Sequence, residues 1–234
     1  MPESTKQSAA ALREHNINFL AGRGFIVSPA LSLPDQRGLA NVLRPTREIA
    51  LRLRALAALF AWVALPERML ATAAVKEAIA REDLKAHLTS PEQEIIDLRR
   101  EDAHARFDDI VGWRLENMWP LAWVLGFAPE PDVDAGQIPN DVAQELIFDF
   151  LDELASPVEE FVASTTLRSV GDVVAFEDMF YCAHNAARSA QLGGHTVPEG
   201  FHPIGDGGVV HERRHALSWV LSPRVAWDAV DLST

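Results

Sequence analysis

Apolar residues recur at three- and four-residue spacing along most of this chain, and the alternation that marks a half-buried strand is nearly absent. That periodicity confines the fold to helices packed on helices. The densest apolar run, ALAALFAWVAL at residues 55–65, continues a stripe of Ile49, Leu53, Leu56, Phe60 and Val63. Together they give one apolar face to a helix that Thr46 can cap. Its eleven residues fall short of the roughly 20 that cross a bilayer, so it is read as a core helix.

The remaining boundaries follow from start and stop chemistry. Ser4 and Gln7 are spaced as a capping box for a helix reaching Ala21, with Gly22 as its stop. Pro66 ends the long helix and opens another from Glu67 to about Leu84. In TSPEQE, Ser90 can cap, Pro91 fits the first helical position and the carboxylates suit the positive end of the helix dipole; SPVE at 156–159 repeats that chemistry. Helices are also expected over 113–125, 141–154, 172–192 and 211–221. Two loops remain, the acidic proline-rich PEPDVDAGQIP at 129–139 and the glycine-rich GGHTVPEGFHPIGDGG at 193–208. No linker divides the chain, so residues 1–234 read as a single all-α, multihelical domain of roughly eight or nine helices.

With 234 residues and a net charge of −13, the chain can bury a sizeable core but repels phosphate backbones and anionic lipid, so neither nucleic acid nor a membrane is an expected partner. Arg44, Arg47, Arg52 and Arg54 are spread around a helix axis and read as solvated faces and ion pairs. The one cysteine, Cys182, excludes an internal disulfide and reads as inert packing, and MPESTKQSAA has neither the basic nor the apolar region of a secretory signal. The expected location is the cytoplasm.

Two charges interrupt apolar stripes. Glu116 falls between Trp123 and Pro120 on its helix, and Arg213 falls between Val220 and Leu217 on the last one. Desolvated together, they are expected to pair, with Arg47 and Arg168 as rival partners for Glu116. Arg214, Ser218, His211 and His215 occupy the opposite side of the last helix and are expected to face solvent. Tyr181 and His184 stand one turn apart near Asp178, and either line a cleft or occupy ordinary helix positions. The segment HERRH places His211, Glu212 and His215 at the spacing of a zinc hydrolase helix. The extension of that motif is absent, because Ser218 and Leu221 stand where glycine and a third histidine belong.

RPTREIALRLRAL at 44–56, W-x-x-E and LAWVLGF around Glu116, TLRSVGDVVAFEDMFY at 166–181 and VVHERRHALSWVL followed by Trp227 and Asp228 together resemble a bacterial family known as domain of unknown function 4272. The family's last motif reads approximately E-R-x-x-A-L-N-W, which implies that Glu212 and Arg213 are its characteristic letters and leaves His211 and His215 incidental. Ser218 replaces the usual asparagine, and Cys182 stands where an arginine is common. The resemblance brings no established activity. The reading is therefore an uncharacterised cytoplasmic, non-catalytic module for a protein or small-molecule partner. Its binding residues are Glu116, Arg213, Tyr181, His184 and Asp178, with no cofactor. The alternative is a zinc-dependent hydrolase using His211 and His215.

Overall fold

The computed structural model describes residues 8–39, 41–134 and 136–234, with the side chains of 149–153 left aside. Among the described residues there are ten α-helices and no strand: α1 (Ala9–Ala21), α2 (Thr46–Ala64), α3 (Thr72–Glu82), α4 (Ser90–Asp97), α5 (Arg100–Val111), α6 (Trp113–Leu125), α7 (Asn140–Glu153), α8 (Val158–Ser164), α9 (Val170–Gln191) and α10 (Gly205–Val220). None is long and apolar enough to cross a membrane.

Two helices organise the rest. α2 is buried on nearly every side, with α3, α4, α5, α6, α7 and α8 around it. α10 lies between α6 and α9, and α1 packs on the outer side of α9. Helix α6 touches both centres and joins them through one continuous apolar core. Its end requires glycine: Gly126 has φ of +87°, and a Cβ there would lie 2.5 Å from the Thr166 carbonyl oxygen.

Several boundaries move for identifiable reasons. The expected box of Ser4 and Gln7 lies outside the described residues, while Ser8 caps α1 by accepting from the Ala11 amide at 3.2 Å. α3 begins five residues late because the Glu67 carboxylate folds forward onto the Thr72 amide at 3.0 Å, closing a separate turn. α4 is capped one residue earlier than expected, with Glu92 Oε2 accepting from the Thr89 amide at 2.9 Å. The largest change is at α10, which starts at Gly205, inside the expected loop. Glycine disfavours helix in isolation, but at Gly208 a Cβ would come within 3.1 Å of the Trp113 ring. The missing side chains let the first turns of α10 approach α6, and packing overrides propensity.

Candidate functional site

Both faces of α10 are polar and buried, and each carries its own network. On the α6 side, Arg213 Nε and Nη2 meet Glu116 Oε2 at 2.8 and 2.7 Å, with the two residues only 1% and 2% exposed. The expected ion pair is therefore present. Arg168 instead donates to the Trp123 carbonyl, and Arg47 pairs with Glu159. The pair also holds a loop. Arg213 donates through Nη1 to the Asp132 carbonyl and through Nη2 to the Gly136 carbonyl, and Glu116 Oε1 accepts from the Ile138 amide at 2.8 Å. Stacked 4.6 Å from the Trp119 ring centroid, the guanidinium has an acceptor for each nitrogen. This geometry latches the 129–139 loop onto the bundle.

On the α9 side lies a larger cluster. Asp178 receives Arg13 through two bonds, 2.7 Å to Oδ1 and 3.1 Å to Oδ2, and also accepts from Asn16 and Arg37. Glu177 meets Arg37 at 2.6 Å, Ser218 Oγ at 2.8 Å and Arg214 at 3.4 Å. The Tyr181 ring is bordered by the guanidiniums of Arg37, Arg214 and Arg13 at 4.1, 4.7 and 5.4 Å. Burial acts to raise the proton affinity of Glu177. Arg37, and then Arg214 and Ser218, outweigh it and hold the carboxyl below its usual range.

The solvent-facing side expected for α10 is thus corrected. Arg214 and Ser218 are buried, and His211 and His215 are half-buried. A polar helix face can be covered when its neighbour supplies matching charge, as α9 does here. Arg44, Arg52 and Arg54 are likewise buried, and only Arg47 of that group is solvated. Arg52 pairs with Glu92 through two bonds at 2.7 and 3.0 Å, and Arg54 meets Glu82 at 3.0 Å. Cys182 is fully buried, and burial pushes its thiol up to about 12, which keeps it protonated.

Of the five residues proposed from sequence, Asp178, Tyr181 and His184 share the α9 cluster, whereas Glu116 and Arg213 stand on the other face. Among the described residues no hydrogen bond, ion pair or ring contact joins the two sets. Arg13, Arg37, Glu177 and Arg214 are central to the cluster and were not legible as site residues. The adjacent acids Glu177 and Asp178, one turn before Tyr181 and two before His184, were the available signal.

His184 is where the cluster opens. Its Nδ1 lies 2.8 Å from Arg214 Nη1. A guanidinium can only donate, so Nδ1 accepts and the proton of the neutral ring sits on Nε2. Burial, followed by Arg214, His211 and Arg188, pushes the imidazole down to about 3. The ring borders a cavity of about 400 Å³ together with Arg188, His211 and residues 232–234. Arg214 closes the inner side of that segment by donating to the carbonyls of Leu232 at 2.8 Å and Ser233 at 3.3 Å.

A pH dependence follows. With a folded value of about 3 against an ordinary value of 6.5, the neutral ring contributes stability that is complete above pH 6.5 and is lost as pH falls toward 3. At about 1.4 kcal/mol per pH unit, roughly 2 kcal/mol should be gone at pH 5. His184→Gln keeps an acceptor for Arg214 and has no proton to gain. Denaturant unfolding at pH 7 and pH 5 should therefore show the wild type losing about 2 kcal/mol more than the variant; equal losses would contradict the buried neutral ring.

The zinc alternative meets a divergent arrangement. His215 Nε2 donates to the Trp227 carbonyl at 2.7 Å, Glu212 accepts from Asn117 Nδ2 at 2.8 Å, and the His211 and His215 ring centroids are 6.4 Å apart. No group of three or more His, Cys, Asp or Glu side chains among the described residues is placed to hold a metal. As arranged, His215 Nε2 and Glu212 are each committed to a protein partner.

With this geometry in place, comparison with known families gives a match over residues 12–230 to the one described as Domain of unknown function (DUF4272). The chain belongs to that family. The match to DUF4272 covers Arg13, Glu116, Glu177, Asp178, Arg213 and Arg214, and also His184, Arg188 and His211 of the His184 cavity, and stops before Leu232, Ser233 and Thr234, which complete that cavity. No curated protein and no solved structure matches the chain.

Proposed function

We propose that this protein is a non-catalytic cytoplasmic module that binds a small oxyanion, a carboxylate or phosphate group, in the cavity beside His184. One observation carries the reading: a charge imbalance inside the fold. Three guanidiniums, from Arg13, Arg37 and Arg214, surround two carboxylates, Glu177 and Asp178. The cluster keeps an excess positive charge next to a neutral histidine. An uncompensated buried cation favours an anion, and the bond to a charged acceptor is stronger than the bond to a carbonyl. Arg214 now uses two carbonyls. Asp231, the side-chain carboxylate nearest in sequence to that segment, is exposed and turned onto the Ser233 amide at 2.9 Å.

The cavity supplies the remaining donors. Arg188 is exposed at its mouth, and His184 can offer Nε2–H. The net charge of −13 and single cysteine support a cytoplasmic location and argue against nucleic acid as the anion. Glu116, Arg213 and the loop they latch take a supporting part by fixing α10, which carries Arg214.

Isothermal titration of the full chain with inorganic phosphate and with succinate at pH 7 and low ionic strength tests the reading. Saturable binding by at least one is expected, weakened about tenfold in Arg188→Ala, whose side chain lies outside the core. Folded protein that takes up neither anion at millimolar concentration would sink it.

A further inference from the structure

A second cavity, of about 360 Å³, lies between α2, the start of α4 and the turn at residues 225–228, and shares no lining residue with the His184 site. Its volume falls in the range of small-ligand sites. Two indoles dominate one wall. Trp219 and Trp227 meet with centroids 5.2 Å apart and planes at 61°. Both are more than nine-tenths buried.

Their faces are already occupied. Arg44 lies 4.0 Å from the Trp219 centroid, while Trp227 has Arg52 at 4.0 Å and the His215 ring at 4.5 Å. Their N–H edges are not. Trp119 donates to the Pro129 carbonyl, and the Trp62 N–H is sealed without an acceptor. The indole N–H groups of Trp219 and Trp227, in contrast, meet no acceptor among the described residues and are not fully sealed, and both residues line the cavity. Two donors on neighbouring indoles of one cavity are what a ligand with in-plane acceptors would use.

The charges on this wall exclude the commoner ligand classes. Arg44 is spent on Glu48 and on the carbonyls of Trp219, Ser222 and Val225, and Arg52 on Glu92 and the His87 carbonyl. Glu48 and Asp228 also border the cavity and would repel an anion. A cation would seek an indole face, and those faces already hold guanidiniums. A sugar stacks on the same faces and meets the same obstruction. Gln93, whose Nε2 donates to the Leu88 carbonyl at 2.9 Å, keeps its amide oxygen for a ligand N–H.

We propose that this cavity binds an uncharged, planar heteroaromatic group carrying hydrogen-bond acceptors on its edge, of the kind a nucleobase presents. The site is separate from the oxyanion cavity and does not depend on it.

Saturation-transfer NMR and calorimetry on the full chain provide the test, with adenosine and cytidine as uncharged probes, 1-methylnicotinamide as a planar cation and benzoate as a planar anion. Transfer should appear on the base protons of at least one nucleoside, with weaker or no transfer to the charged rings. Trp227→Phe keeps most of the ring and deletes its donor, so the dissociation constant should rise about tenfold. Gln93→Ala, on the opposite wall and outside the core, should weaken binding severalfold and serves if the tryptophan variant does not fold. The proposal is overturned if neither nucleoside shows transfer, if a charged ring binds more tightly at a Trp227-dependent site, or if both variants bind as the wild type does.

Discussion

Glu116→Ala is expected to destabilise the protein by about 3–5 kcal/mol, because it leaves the Arg213 guanidinium buried without its counter-charge. Burial already lowers the proton affinity of Arg213, and Glu116 is the first influence opposing that shift. The substitution also strips the Ile138 amide of its acceptor, so the 129–139 loop should loosen with the helix pair. Two further variants separate charge from packing. Glu116→Gln keeps an acceptor and should lose less. The double change Glu116→Met with Arg213→Leu removes both charges and should recover part of the loss, since an absent buried pair costs less than a broken one. Urea unfolding of all four proteins, with hydrogen exchange at Ile138, reads both effects. If Glu116→Ala unfolds at the wild-type midpoint, the pair contributes nothing and the latch is wrong.

That pair was legible because each member breaks an apolar stripe, and helical geometry alone says where the stripe runs. The α9 cluster was not. A helical wheel groups Arg214, Ser218, His211 and His215 on one face, but it cannot say what covers that face, and polar composition reads as solvent until a complementary surface is known. Here the cover is Glu177, Asp178 and His184, acting with Arg13 from α1 and Arg37 beyond it, groups distant in sequence. The same limit applies to α2, where Arg52 and Arg54 read as solvated faces and ion pairs: the ion pairs are present, with Glu92 and Glu82, but they are buried. Helix number and type were readable from periodicity, whereas the start of α10 was not, since glycines that end helices elsewhere here make room for Trp113. In this chain the sequence marks its apolar surfaces well and its buried polar ones poorly, and the candidate sites are built from the second kind.

Asp178→Ala is the companion test, and it probes the charge excess behind the proposed function. The carboxylate accepts from Arg13 twice and from Asn16 and Arg37 once each. Removing it strips Arg13 of its carboxylate partner, leaves Arg37 with Glu177 alone and raises the surplus positive charge of the cluster. A loss of about 3–5 kcal/mol is expected, as for any buried pair broken from one side. Because α1 packs mainly on α9, and Arg13 and Asn16 both reach Asp178 from α1, hydrogen exchange should rise first in α1. Asp178→Asn retains an acceptor oxygen and should lose about 1–2 kcal/mol less. Stability and anion affinity should then move in opposite directions. The variant is weaker as a fold, yet its more positive cluster should bind phosphate in the His184 cavity more tightly, and added phosphate should restore part of its midpoint through preferential binding to the folded state. Melting curves with and without 50 mM phosphate, roughly a saturating dose for a millimolar site, together with titration calorimetry on the folded variant, read both directions. A folded Asp178→Ala protein that binds phosphate less well than wild type would show that the cluster does not attract the anion.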